Sequence, residues 1–536
     1  MDEGKGTPGW AAVASMAVLT VCALAVSRLP LRLPPAPTLL LPVALPAGPA
    51  VESWLSTQDR RLRLVQQPDV AIAAPASSST TAAATADIVI DTSRTFQSIV
   101  GFGAALTDSS AWLMQNRMSV LQRFALLREM FGPPPGLNLE MLRLTIGASD
   151  FSLKPYTLDD LPAGQLDPGL AHFNIAADMR EVIPIVRGAM AVNPQLHVIA
   201  TPWSAPAWMK SGDSLIGGTL LEQYEATYAQ YIVKYVDAFR AQDIPVWALT
   251  VQNEPSFEPQ TYPGMVLSAA VRARIIGQYL GPALANRDPQ TRILGWDHNW
   301  NAPEQPLSEL ADPTAARYLD GIAWHCYQGD PAAQSRVHRA FPRQDTYVTE
   351  CSGGDWESAK NGELLWFARD LLLGSLRNWA RGVVYWNLAL DEQHGPHIGG
   401  CDNCKGMVVI DSRTGEVSRN DEYYAFAHYS QFVLPGAVRV WSTASGPDFN
   451  NVAFRNADDG SVVLVVVNSK TQARRFSVAQ DKVYFEYTMP PESVATLRWN
   501  PNLAAGSWEQ RTRRFLEKAL HAVTPGAALD VPGGAR

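Results

Sequence analysis

Two short stretches, TVQNEP (250–255) and YVTECSGG (347–354), constrain this chain more than any other feature. Each reads as a buried β-strand that runs into a glutamate, Glu254 or Glu350. In the first, apolar and β-branched residues precede Asn253, and Pro255 stops the strand. In the second, TYVTE has the same pattern and Ser352-Gly353-Gly354 breaks the chain straight after it. Paired carboxylates at the carboxyl ends of parallel strands equip a (β/α)₈ barrel for cleaving glycosidic bonds. The two glutamates are 96 positions apart, which suits three βα units of about 30 residues each and places them on the fourth and seventh strands. One glutamate after a strand serves equally well as a helix cap; two at this spacing point to a catalytic pair.

The rest of the chain fits that frame. Its 536 residues hold a full barrel and a smaller second domain. Candidate barrel strands begin at Gly101-Phe102-Gly103 and continue at 141–147, 196–204, 246–252, 291–299, 319–327, 345–350 and 381–390. Helical patterning fills most intervals, as in 221–242 and 363–380. After about residue 427 short strands separated by Gly, Asp, Asn and Pro turns take over, with Asp458-Asp459-Gly460 as a hairpin turn. The expected fold is therefore α/β: a (β/α)₈ barrel over 101–427 and a side β-sandwich built from both ends of the chain, 51–100 and 428–500. Residues 75–86 read as a flexible loop by composition.

Residues 1–50 combine an apolar run, Trp10 to Val26, with a proline-rich tether, and imply export by a cleaved signal or a retained membrane anchor. Residues 501–536 read as a short amphipathic helix, from Trp508 to Val523, and a disordered tail. The net charge of −8 argues against a nucleic-acid partner. Five cysteines exclude a disulfide-built scaffold. Sixteen tryptophans serve a large core, and some of them suit the apolar face of a sugar.

Seven motifs in order, GFGAALTDSSA, LRLTIGASDFS, ATPWSAPAWMK, TVQNEP, AWHCY, TECSGG and WNLAL, resemble glycoside hydrolase family 30, the group of glucosylceramidases and their bacterial relatives, including β-1,6-glucanases. The resemblance implies hydrolysis of β-glycosides with retention, with Glu254 as general acid/base and Glu350 as nucleophile. The ionised nucleophile is expected to raise the pKa of its partner. Asn253 is similar to the asparagine that holds the sugar 2-hydroxyl, and Tyr327 to the tyrosine that orients the nucleophile. Asp108, Trp203 and Trp386 match positions that grip the outer hydroxyls; a helix cap for Asp108 and barrel packing for the two tryptophans are the alternatives. His325 is expected to support these groups from behind. The loop 391–406 resembles the bacterial members. In it, Cys401 and Cys404 suit a disulfide, with a zinc site shared with His394 and His397, or free thiols, as alternatives. Cys326 and Cys351 are expected to be buried thiols. No Asn-X-Ser/Thr sequon is present, unlike the expectation for lysosomal relatives.

These readings imply an exported or membrane-tethered retaining β-glycosidase that needs neither cofactor nor metal. A glucosylceramidase-type β-glucosidase comes first, with an endo-β-1,6-glucanase or β-xylosidase as the alternative within the class. The substrate would be a β-glucoside, glucosylceramide or a β-glucan. A non-catalytic carbohydrate-binding protein is the rival from another class, and the two glutamates together with Asn253 argue against it.

Overall fold

A computed structural model describes residues 50–72, 86–356, 363–444, 446–481 and 483–501. The expected leader and tether, most of the 75–86 loop and the C-terminal helix lie outside these residues. No described helix is long and apolar enough to cross a membrane.

Eight parallel strands close into a barrel: Gly101–Leu106, Met141–Ile146, His197–Pro202, Val246–Thr250, Arg292–Asn299, Leu319–His325, Asp345–Glu350 and Gly382–Tyr385. The last pairs with the first, Gly382 opposite Gly101, so no edge is left open. Inward-facing Met141, Ile199, Ala248, Leu294, Ala323, Tyr347 and Val384 fill the interior as a separate small core. Helices cover the outside, and many bury an apolar stripe against the strands. In Glu225–Arg240 that stripe is Tyr228, Ile232, Tyr235, Val236 and Phe239, all buried.

The fourth and eighth strands are among those that end earlier than their apolar runs suggest. The fourth stops at Thr250. Beyond it Asn253 N–H donates to the Pro202 carbonyl and Glu254 N–H to the Asp297 carbonyl, so the chain folds across the barrel mouth. Glu254 adopts a left-handed conformation, φ 46°, an uncommon state for a residue with a Cβ that is tolerated where its surroundings hold it. The eighth strand breaks at Asn387, φ 60°, whose side-chain oxygen accepts from Thr107 Oγ1 at 3.0 Å. The run resumes as Ala389–Leu390, which joins Val408–Ile410 and Val417–Arg419 in a small separate sheet.

The side domain is a nine-stranded β-structure that interleaves both ends of the chain. Ala50–Thr57 pairs antiparallel with Ser493–Trp499. Ile88–Ser98 lies between Val438–Ser442 and Arg474–Gln480. The hairpin turn at 458–460 joins Phe449–Arg455 to Val462–Asn468. In the run Val462–Asn468 both faces are buried. Val462, Leu464 and Val466 enter the core of the side domain, while Val463, Val465 and Val467 pack into the barrel's core. One strand was not visible in the sequence: Val65–Ala71 is a largely exposed edge whose VQQPDVA carries no apolar alternation.

Candidate active site

The two glutamates converge at the carboxyl end of the barrel. His325, the last residue of the sixth strand, places Nδ1 at 3.1 Å from Glu254 Oε1 and 3.7 Å from Glu350 Oε1. That shared neighbour bounds the separation of the two oxygens at about 6.8 Å, which fits the roughly 5–5.5 Å of retaining pairs and lies below most of the roughly 6.5–9.5 Å range of inverting ones.

Both oxygens of Glu350 are held. Tyr327 O–H donates to Oε1 at 2.9 Å, and Arg143 Nη1 donates to Oε2. The other arm of Arg143, Nη2, donates to Asn253 Oδ1 at 2.7 Å and to Asp297 Oδ2 at 3.1 Å. Accepting from Arg143 commits the Asn253 carbonyl oxygen and leaves its amide N–H₂ to donate elsewhere. Asp297 also accepts from Thr250 Oγ1 at 2.7 Å, Thr349 Oγ1 at 2.6 Å and His325 Nε2 at 3.1 Å. Burial penalises the Asp297 carboxylate, yet Arg143 and His325 hold it well below the usual range. A buried Arg–Asp pair, with both Asp297 oxygens doubly hydrogen-bonded and only Arg143 Nε left without a partner, thus supports Glu350.

The proton distribution differs from the expectation. Burial favours the neutral form of Glu254, but its hydrogen bond to His325 and the charges of His325, His298 and Arg143 bring it below the usual value. Burial also opposes a charged His325, yet Glu350, Asp297 and Glu254 raise it to about 9. In the unliganded cluster the proton therefore resides on His325, within hydrogen-bond reach of Glu254. The expectation that Glu350 raises Glu254 omitted this cation. His298 sits 3.5 Å from the same Glu254 oxygen and is lowered to about 4 by burial.

Trp203 and Trp386 stack on each other, with centroids 5.3 Å apart, and the Arg143 guanidinium lies 5.0 and 5.6 Å from their rings. Both are almost fully buried, with Ala105, Phe151, Leu390 and Cys404 in the same cluster and Tyr262 and Cys401 packed against it. Asp108 is held by partners of its own. The N-cap of its helix is Thr107, and Asp108 is the first helical residue. Its carboxylate accepts from Ser152 Oγ at 2.6 Å and Tyr156 O–H at 3.2 Å, and burial raises it to about 6. It lines a cavity of about 190 Å³ with Trp112, Lys154, Arg180 and Glu181.

Besides His298, four important residues are not singled out by the sequence patterns. Arg143 and Asp297 are charges inside apolar strand runs, LRLTIG and LGWDHN, a signal that could have flagged both. Burial, then the charges of Glu350 and Glu254, pushes Asp150 well above the usual carboxylate value, so its carboxyl shares their surroundings. Tyr262 is raised by burial and by the charges of Asp150, Glu254 and Glu350.

Cys401 and Cys404 form a disulfide. His394 instead meets the Cys404 carbonyl and Asp355, and His397 approaches Asp402 at 4.0 Å, so these four residues are not gathered around a zinc ion. Their loop is tied down by Ile398 N–H on the Asp150 carbonyl and Gly400 N–H on Thr261 Oγ1, which brings it over the cleft beside Tyr262. Cys326 and Cys351 are not thiols as expected; they too are a disulfide, with Cα atoms 5.3 Å apart. The sixth and seventh strands end in register, His325 opposite Glu350, so the next residue of each strand meets its neighbour. Glu254, His298 and His325 offer ligand atoms within 4.8 Å of one another. A cation there would compete for the proton that His325 and Glu254 share.

Residues 99–433 match the Glycosyl hydrolase family 30 TIM-barrel domain, and residues 436–497 match the family's beta sandwich domain. The chain belongs to glycoside hydrolase family 30. Among its family 30 relatives, an endo-1,6-beta-D-glucanase of Neurospora crassa is 36% identical over 455 residues, 81% of this chain and 92% of the relative. A putative glucosylceramidase of Caenorhabditis elegans is 32% identical over 78% of this chain and 84% of its own. The solved structure of an endo-beta1,6-glucanase superimposes with a TM-score of 0.76 at 30% identity, covering 84% of this chain and 99% of that one. The chain is a glycoside hydrolase of this family that acts on β-glycosides.

Proposed function

We propose that this protein is an endo-1,6-β-glucanase working by double displacement. The observation that carries the choice is its similarity to endo-1,6-β-glucanases at 36% sequence identity and in a solved structure. The glucosylceramidase-type reading, placed first on motifs alone, gives way to the alternative, because the glucosylceramidases lie at lower identity, 32% and below. The seven motifs are common ground between the two activities and do not discriminate between them.

In this reading Glu350 attacks the anomeric carbon while Glu254 protonates the departing glycosidic oxygen. Tyr327 and Arg143 fix the attacking carboxylate, and Asn253 meets the sugar 2-hydroxyl. The proton reaches Glu254 from His325, to which it is already hydrogen-bonded. Once Glu350 is esterified its charge is gone, and Glu254 deprotonates the water that releases the sugar. Trp203 and Trp386 back the sugar site as a packed wall. Two disulfides suit an oxidising compartment and support export of the chain through its N-terminal segment.

The test is hydrolysis of β-1,6-glucan, glucosylceramide, an aryl β-glucoside and an aryl β-xyloside. Expected is fast depolymerisation of the glucan, with chain length falling ahead of glucose release and a β-configured reducing end formed first. Turnover of glucosylceramide with an intact glucan would restore the glucosylceramidase reading.

His325 supplies a pH test. Deprotonation of the His325–Glu254 pair ends acid catalysis, and the pair's last proton is held to about 9. In His325→Asn that proton must sit on Glu254 itself, so the alkaline limb of kcat/KM should move to lower pH. An unmoved alkaline limb would show that His325 does not carry the catalytic proton.

A further inference from the structure

We infer that the Cys326–Cys351 disulfide is a positioning element of the reaction: it holds Tyr327 and Glu350 in the geometry from which Glu350 attacks, so that turnover requires the pair to be oxidised. The inference rests on the assignment of Glu350 as nucleophile under Proposed function.

Three observations carry it. First, the backbone ladder between the sixth and seventh barrel strands ends at the pair His325 and Glu350. Beyond that pair the disulfide is the next link between the two strands, one residue further along each. Second, Cys326 lies between His325, which bonds Glu254, and Tyr327, which bonds Glu350, while Cys351 follows Glu350 directly. One covalent bond therefore sits within a single residue of three groups of the cluster. Third, Tyr327 is 39% exposed, so packing alone does not hold it. Its phenol meets Glu350 and the edge of the His325 ring, and the backbone that aims it there has two anchors: the preceding half-cystine, and its own N–H on Asn299 Oδ1 at 2.9 Å. Cys351 is in turn pinned by Trp386 N–H on its carbonyl at 2.9 Å and has no exposed surface. The bond thus ties a solvent-facing tyrosine to a rigid wall of the sugar site.

The bond is also reachable from the Cys326 side. Cys326 lines a cavity of about 310 Å³ with Tyr327, Ser352, Gly353 and Trp356. A dithiol entering there would attack one sulfur and then close on itself. It would give up two electrons and two protons and leave Cys326 and Cys351 as thiols.

The test uses the full chain and an aryl glycoside of the β-1,6-linked disaccharide. In C326A/C351A, kcat is expected to fall roughly 10- to 100-fold with KM within about twofold, as follows from a misplaced nucleophile. A lowered Tm with normal kcat and KM would make the bond merely structural and overturn the inference. Should that variant not fold, the wild type is titrated with dithiothreitol, and each aliquot is alkylated and the modified cysteines identified by mass spectrometry. Activity should follow the reduction of Cys326–Cys351 rather than that of Cys401–Cys404, return on reoxidation, and be lost with no change in far-ultraviolet circular dichroism. Full activity with Cys326 and Cys351 reduced would overturn the inference. Labelling of the wild type with the 2-deoxy-2-fluoro form of the same glycoside tests the premise separately: a label on any residue but Glu350 refutes the nucleophile assignment, whatever the disulfide does.

Discussion

Replacing Glu350 with glutamine is expected to lower turnover by roughly 10⁵- to 10⁶-fold on every substrate, the scale of losing a nucleophile that acts in concert with its neighbours. The amide keeps the shape of the side chain but cannot form the glycosyl ester. Glu254→Gln should behave differently, because its effect depends on the leaving group. β-1,6-Glucan releases an alkoxide that departs poorly without a proton, so its hydrolysis should be slowed severely. An activated aryl glycoside leaves with little help, so its first step should survive and the glycosyl-enzyme should accumulate for want of a base. Azide needs no base and should restore turnover, giving a β-glycosyl azide. An α-azide from Glu254→Gln would indicate direct displacement and the inverting class. Rescue of Glu350→Gln to the β-azide would mean that the two roles are reversed.

The second large effect concerns Arg143. Its side chain is fully buried and stands between two carboxylates, Asp297 and Glu350, whose side chains are themselves 0% and 7% exposed. Arg143→Met keeps an apolar side chain against Trp203 and Trp386 but leaves Asp297 without its cation. Breaking such a pair from one side costs about 3–5 kcal/mol, most of it the penalty for a buried charge left unpaired. The sign of the pH dependence follows from Asp297, whose carboxyl is held well below its ordinary value, with Arg143 the main attraction against burial. A depressed carboxylate stabilises the fold above its unfolded pKa, and that stability is lost as the pH falls through the folded value. The urea-denaturation gap between wild type and Arg143→Met should therefore be widest near neutral pH and narrow in acid. A variant as stable as the wild type at pH 7 would remove Arg143 from its place as the electrostatic support of the site. Because the same guanidinium orients Glu350 and Asn253, activity should fall together with stability.

Much of this protein is written locally. The eight barrel strands are runs rich in β-branched and apolar residues, several of them ended by Gly, Pro or Asn, and each exists because burial on both faces rewards such a run wherever it occurs. The same reasoning recovers the two-ended side domain, since strands before residue 100 need a partner sheet that only the C-terminal strands supply. Glu254 and Glu350 were legible because a carboxylate after a strand stands out against its apolar approach. Local patterning did not reveal where those strands stop. Thr250 ends the fourth because Asn253 and Glu254 find better hydrogen-bond partners across the mouth than along the ladder. Nor did it reveal the exposed edge Val65–Ala71, which is held by the pairing offered by Ala50–Thr57 rather than by any pattern of its own.

The electrostatic design of the site belongs to the closed barrel. Arg143, Asp297 and His325 come from the second, fifth and sixth strands, and nothing in their spacing along the chain says that they touch. Closure brings their side chains to one point, and there burial, which penalises each charge alone, makes them hold one another ionised. Cys326 and Cys351 follow the same rule: 25 residues apart in sequence, they become bonded neighbours because the register of two adjacent strands sets them side by side. Periodicity and residue chemistry therefore suffice for most of the elements and the two glutamates, whereas the partners of those glutamates, and where their protons reside, depend on distances that exist only once the barrel has closed.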